Sequence, residues 1–124
     1  MSDIVDINFN FTMIDKKITQ RLNEYNISKE NFCKGTEVES VVIKNGEKVI
    51  NLINIGLILI DYRLNLINNE YMEDKVHHKQ NLKSERLNLS KKTEWFYRLK
   101  KSIRKETESI QNGEFDTSDE NDFE

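Results

Sequence analysis

Few residues in this sequence have the types and spacing that catalysis or metal binding requires. The only histidines, His77 and His78, are adjacent, and neighbours on a helix point in different directions, so one metal ion cannot readily bind both. The single cysteine, Cys33, falls among predicted core residues, where a free cysteine is usually a small buried apolar residue. The four glycines are isolated, so there is no glycine-rich phosphate loop. We therefore predict no catalytic residue, no metal site, no cofactor, no small-molecule substrate and no enzymatic activity.

Positive charge is more informative, because it is concentrated in one segment. Residues 75–105 carry 11 basic and 2 acidic side chains, whereas residues 106–124 carry 8 acidic side chains and none that is basic. On a helix, one face would present Lys91, Arg98, Lys101 and Lys105, with Lys92, Lys100 and Arg104 beside them. Such a face can neutralise a run of phosphates, and Trp95 and Tyr97 can stack on unpaired bases. The alternative is a solvated face that pairs with the acidic remainder of the chain, including a tail that would compete with nucleic acid.

The elements that position these cations are organised around residues 47–68, the most apolar segment of the chain. At helical period, five of its polar residues form one narrow stripe, which Ile58 interrupts and off which Arg63 lies: Asn51, Asn54, Asp61, Asn65 and Asn68. This pattern predicts a nearly buried helix around which other elements pack. A strand over residues 58–66 is the competing interpretation, but its alternation covers only part of the segment.

The segments before this helix show mixed periods. Alternation over residues 4–11 predicts a short N-terminal strand, and an amphipathic helix then follows as far as Asn26. Ser28 can cap a short second helix over residues 29–34, which Gly35 would end. Residues 38–53 fit either a hairpin turning at Asn45-Gly46 or a short third helix over residues 39–44.

Residues 15–66 resemble the Cro/repressor-type helix-turn-helix domain of phage and bacterial regulators. The resemblance is carried by Ile18, Leu22, Tyr25, Asn26-Ile27-Ser28, Phe32-Cys33, Val38, Ile43 and Leu64-Asn65-Leu66. It implies a compact helical domain in which four residues face DNA: Lys29, Ser40, Val41 and Lys44. The chain departs from the family pattern at Glu37, which replaces the usual turn glycine, and at Glu39, which stands near the expected phosphate position.

The C-terminal part of the chain carries a seven-residue repeat of apolar residues: Leu82, Leu89, Phe96, Ile103 and Ile110. At the second seam position only Leu99 is apolar, whereas Glu85, Lys92 and Glu106 are charged, so the pattern is half a coiled coil. It predicts a long helix that ends at Asn112-Gly113 and docks either on its own chain or on a second copy.

Together these patterns predict a mainly α fold with a helix-turn-helix-like body around a buried central helix, a long C-terminal helix and a short N-terminal strand. An α+β fold with a hairpin over residues 38–53 is the alternative. The predicted divisions are a compact helical body over residues 1–72, a basic amphipathic helix over 73–112 and a disordered acidic tail over 113–124.

The function that these patterns favour is nucleic-acid binding, as a DNA-binding transcriptional regulator of phage or mobile-element type. The candidate DNA-contacting residues are Lys29, Ser40, Lys44, Lys91, Lys92, Arg98, Lys101, Arg104 and Lys105. DNA or another nucleic acid is the expected partner, together with a second copy bound through the C-terminal helix. The lone cysteine and the acidic N-terminus favour a cytoplasmic protein without a membrane partner. The alternative is a structural or adaptor protein, such as a viral or phage assembly component.

Overall fold

Three long α-helices form the part of the chain that the computed structural model describes, residues 3–73 and 79–114. They are α1 (Asp3–Cys33), α2 (Glu39–Glu73) and α3 (Lys79–Gln111). Both α1 and α3 pack against α2, and each runs antiparallel to it: position 56 of α2 meets Ile14 and Phe96, whereas position 46 meets Tyr25 and Ile103. The prediction of a mainly α fold with a central helix and a long C-terminal helix is confirmed.

The predicted N-terminal strand and the alternative hairpin are both wrong. Residues 4–11 belong to α1, where Phe11 continues a seven-residue series of core contacts with Ile18 and Tyr25. A short alternation of apolar residues does not outweigh this longer helical period. Asn45-Gly46 lies inside α2, and a Cβ atom at Gly46 would approach side-chain atoms of Tyr25 and Ile103 to 3.1 Å. Gly46 therefore allows close packing where the hairpin interpretation requires a turn.

Residues 12–44 form parts of two long helices instead of the three short ones expected from the resemblance. α1 continues through Ser28, which is buried and donates a hydrogen bond from Oγ to the carbonyl of Tyr25 (2.8 Å), so it is not a helix cap. The predicted stop at Gly35 is correct. Gly35 has φ 79°, and the amide of Thr36 donates to the carbonyl of Asn31 at 2.8 Å, which is the C-terminal motif that favours glycine.

α2 is buried on one side only. Its inward residues are Val42, Val49, Ile53, Ile60 and Ile67, each no more than 2% exposed. Most of the predicted polar stripe faces outward as expected, but so do Ile55, Ile58 and Tyr62. The helix is therefore less buried than predicted, because in the described part of the chain only α1 and α3 cover it.

The apolar seam of α3 packs inside its own chain. Leu82, Leu89, Phe96, Ile103 and Ile110 are all at most 7% exposed and belong to the same core as the inward residues of α1 and α2. The predicted stop is also correct, since α3 ends at Gln111 and Gly113 has φ 73°. Of the two docking alternatives, the described structure contains the intramolecular one.

The charged residues at the second seam position are matched by partners on the other helices. Arg63 of α2 donates two hydrogen bonds to Glu85, from Nε to Oε2 at 2.6 Å and from Nη2 to Oε1 at 2.8 Å. Lys92 Nζ lies 2.6 Å from Oδ2 of Asp15 in α1. What looks like half a coiled coil in the sequence is thus a seam with an apolar row and a charge-paired row.

Glu106 completes this row through two residues of α1. Its Oε1 accepts hydrogen bonds from Oη of Tyr25 (2.7 Å) and from Nζ of Lys29 (2.9 Å). Burial of the phenol, followed by its hydrogen bond to Glu106 and the charge of that carboxylate, raises the pKa of Tyr25 far above its usual value near 10. Tyr25 therefore remains a hydrogen-bond donor at any ordinary pH.

Part of α2, Glu39–Asn69, is long enough to cross a membrane and contains an 18-residue stretch with a mean hydropathy of 1.4, which is apolar enough to do so. Its inward face forms the core with α1 and α3, and the core helix of a soluble protein meets the same two requirements. Length and composition therefore do not distinguish the two cases. The expectation of a cytoplasmic protein without a membrane partner stays a prediction.

Gly56 provides a test of this packing. A Cβ atom there would lie 2.8 Å from Cε2 of Phe96, whose side chain is fully buried. Gly56→Ala should therefore destabilise the protein by about 1–2 kcal/mol, because overpacking outweighs the gain in helix propensity. Urea unfolding measures this change. Asn51→Ala, at an exposed position of the same helix, is the matched control and should be neutral or slightly stabilising; equal stabilisation by both substitutions would contradict the packing at Gly56.

Candidate nucleic-acid interface

The outward face of α3 is fixed by its buried seam. Because Phe96 and the other residues of the seven-residue repeat point into the core, residues on the opposite side of the helix must point to solvent. Lys91, Arg98, Lys101 and Lys105 all lie there and are exposed, and Arg104 is exposed beside them. The structure thus brings together the four cations that the sequence places on one face.

Two other predicted cations of α3 are directed toward neighbouring helices. Lys92 is paired with Asp15, and Lys100 Nζ donates to Oδ1 of Asn54 at 2.6 Å. Arg98 pairs with Glu94 on the surface, 2.9 Å apart, where both side chains remain mostly exposed. Such a pair is weak in water, so it leaves Arg98 able to exchange partners.

The remaining four cations, Lys91, Lys101, Arg104 and Lys105, form no ion pair with any described residue. The acidic tail predicted to compete for them falls almost entirely at residues 115–124, outside the described residues.

Several of these cations and an aromatic ring line the same shallow depression on α3. It is lined by Tyr97, Lys100, Lys101, Arg104, Lys105 and Glu108. Tyr97 is 56% exposed, and Lys100 Nζ lies 5.8 Å from the centre of its ring.

The sequence prediction treated Trp95 and Tyr97 alike, but only Tyr97 lines this depression. Trp95 lies on the other side of the apolar seam, and the centre of its ring is 5.3 Å from the centre of the Phe96 ring. The spacing of Tyr97 from Lys101 and Arg104, four and seven residues, was the sequence feature that could have separated the two rings.

The DNA-facing positions implied by the helix-turn-helix resemblance lie elsewhere. Lys29 is engaged by Glu106 and lies 5.1 Å from the centre of the Tyr25 ring. Ser40, Val41 and Lys44 occupy the first turns of α2, where Ser40 and Lys44 are exposed. They belong to a helix of 35 residues and not to a short recognition helix, and they are on a different helix from the α3 cations.

A second exposed feature is an apolar stripe on the outward face of α2. Ile55, Ile58 and Tyr62 are 46%, 67% and 46% exposed, and Met13 of α1 borders them with 40% exposure. A shallow groove between α1 and α2 continues the stripe through Leu59 and neighbouring residues. The interruption of the polar stripe by Ile58 was the visible sequence sign of this surface.

Among the residues that the structure describes, no three His, Cys, Asp or Glu side chains are grouped so that they could hold a metal ion. His77 and His78 lie outside those residues. Cys33 is half-buried at the end of α1.

No protein-family model matches the chain, and neither the curated proteins nor the solved structures include a match. Function is therefore inferred from the chemistry of the surface.

Proposed function

We propose that this protein binds nucleic acid, in the first place DNA, through the exposed cations of α3. The observation that carries the proposal is the set Lys91, Lys101, Arg104 and Lys105, which share one helix and have no ion-pair partner among the described residues. The finer role in the same proposal, a DNA-binding transcriptional regulator of phage or mobile-element type, rests only on the residue types that residues 15–66 share with helix-turn-helix domains, because these residues form two long helices and not the three short ones of that motif.

Electrostatics explains why this face is suited to a polyanion. The core holds α3 in place, so its outward cations are presented together without a separate folding step upon binding. Each phosphate that they neutralise releases condensed counterions, which makes the affinity fall steeply with salt. Four or five such contacts supply sequence-independent binding, whereas a choice of sequence would need contacts to base edges.

The test is fluorescence anisotropy with a labelled DNA duplex and the full-length protein at about 50 mM salt. Replacing Arg98, Lys101, Arg104 and Lys105 by glutamine should weaken binding at least tenfold and reduce its salt dependence. The matched control replaces Lys16, Lys17, Lys34 and Lys48, four cations outside α3, by glutamine and so changes the net charge equally. It should retain most of the affinity; equal loss in both variants would assign binding to overall charge and not to the α3 face.

The acidic tail provides a second arm of this experiment. A chain that ends at Glu114 keeps Gly113, which forms the C-terminal turn of α3, and lacks five acidic side chains. It should bind DNA more tightly at low salt if the tail competes with phosphates for the cations. If neither chain length binds nucleic acid at about 50 mM salt, the proposal fails.

The second candidate function is that of a structural or adaptor protein that binds other proteins. It is favoured by the exposed apolar stripe of Ile55, Ile58 and Tyr62, since apolar patches on a protein surface often mark interaction sites. A salt titration distinguishes the two functions. Association through apolar side chains persists at salt concentrations that disrupt contacts with phosphates.

A further inference from the structure

We infer that the depression on α3 binds single-stranded nucleic acid, with one base stacked on Tyr97 and the adjoining phosphates held by Lys101, Arg104 and Lys105. The inference rests on the proposed nucleic-acid binding and names the form of nucleic acid that this site takes. It is carried by the placement of an exposed aromatic ring inside a cluster of cations.

The Tyr97 ring is largely exposed and has one cation near it. Lys100 Nζ lies 5.8 Å from the ring centre and is itself fixed by its hydrogen bond to Asn54 Oδ1, 2.6 Å away. The ring belongs to a helix whose neighbouring residue, Phe96, is fully buried, so the backbone beneath it cannot shift easily. More than half of the tyrosine surface nevertheless remains open to solvent. A base can therefore stack on this ring without a large loss of conformational entropy.

The surrounding charges suit a nucleotide backbone. Lys101 and Arg104 follow Tyr97 by four and seven residues, so they lie along the same side of the helix, roughly 6 and 10 Å farther along its axis. Lys105 continues the row. Glu108 is the one carboxylate in the lining, and with four cations the depression still carries a net charge of about +3.

A duplex would contact the cations of this site but not the face of the Tyr97 ring. Its bases are already stacked on one another and offer no free face to an aromatic side chain, so only its phosphates would contribute. In a single strand, every base has a free face, and stacking on an aromatic side chain adds about 1–3 kcal/mol per base. Stacking on Tyr97 therefore adds to the affinity for the single strand a contribution that the cations alone cannot supply.

The experiment compares two labelled probes of the same length with the full-length protein: oligothymidylate of about 20 nucleotides and a duplex of mixed sequence. Tyr97→Ala should weaken binding of the single strand by about tenfold and change binding of the duplex by less than about twofold. Tyr97→Phe, which keeps the ring, should retain the affinity for the single strand. The matched control is Tyr62→Ala, which removes a similarly exposed tyrosine from α2, and it should change neither affinity.

Two results would overturn this inference while the proposed function stands: equal weakening of both probes by Tyr97→Ala, or unchanged binding of the single strand by Tyr97→Ala while the four glutamine substitutions on α3 abolish it. If those glutamine substitutions also leave binding unchanged, the proposed function itself fails. Thermal unfolding followed by circular dichroism shows whether each variant is folded. Should Tyr97→Ala unfold, Tyr97→Leu decides the question, because it keeps an apolar side chain and removes only the aromatic face.

Discussion

Replacing Phe96 by alanine should lower the free energy of unfolding by about 3–5 kcal/mol. The ring is completely buried at the middle of the α3 seam, and its edge faces Gly56, which has no side chain. When the ring is removed, the space on the α2 side cannot be refilled by a neighbouring side chain at that position, so a cavity remains. We expect a loss in the upper part of the range, measured by urea unfolding with circular dichroism as the probe.

Four comparisons test whether packing is the cause. Phe96→Leu keeps most of the apolar volume and should cost much less, whereas Phe96→Asp combined with Ile103→Asp places two charges in the seam and should prevent folding. Ile60→Ala, at a position only 2% exposed, should cost about 2–5 kcal/mol, and Leu57→Ala less because Leu57 is half-buried. A loss below about half a kilocalorie for Phe96→Ala would show that the seam does not form the core.

The second large effect should come from the ion pair between Arg63 and Glu85. The Arg63 side chain is only 4% exposed, and two parallel hydrogen bonds join it to a carboxylate that is 32% exposed. Glu85→Ala leaves the guanidinium buried without this acceptor and should cost about 3 kcal/mol, at the low end for buried pairs because water still reaches Glu85. Arg63→Ala should cost a similar amount through the lost packing of its long side chain.

A double replacement separates the charge from the packing. Arg63→Met with Glu85→Met removes both charges and keeps much of the apolar volume, so it should recover most of the stability lost by Glu85→Ala. Urea unfolding of the four proteins gives the coupling energy of the pair. If Glu85→Ala alone were as stable as wild type, the pair would contribute nothing to the register between α2 and α3.

Apolar patterns that extend over many residues predicted the fold well, whereas patterns that rest on a few residues did not. The seven-residue series from Leu82 to Ile110 covers five positions, and all five are buried as expected. The strand over residues 4–11 and the turn at Asn45-Gly46 rested on a few residues each, and both are overruled by helices of more than 30 residues. Gly46 explains the second error, because it provides space for the side chains of Tyr25 and Ile103, which local propensity does not reveal.

The candidate site was predictable in part. The spacing of Lys91, Arg98, Lys101 and Lys105 is enough to place them on one face, and the burial of the opposite face follows from the heptads. Which cations are already engaged was not predictable, because Asp15 and Asn54 are far from Lys92 and Lys100 in sequence and meet them only through tertiary packing. The same limitation hid the role of Glu106, whose partners are in α1.

The middle position of α2 has a consequence for the order in which the chain folds. Each outer helix packs on α2, so α1 and α2 can close as a hairpin across the five-residue connection 34–38 before α3 is made on the ribosome. In the described part of the chain, close backbone approaches between helices occur between helices that are neighbours along the chain, and such local topologies fold quickly. Until α3 arrives, the α2 side chains that it covers, such as Ile60 and Leu64, remain open to water. We expect the nascent hairpin to be the most aggregation-prone stage in the synthesis of this protein.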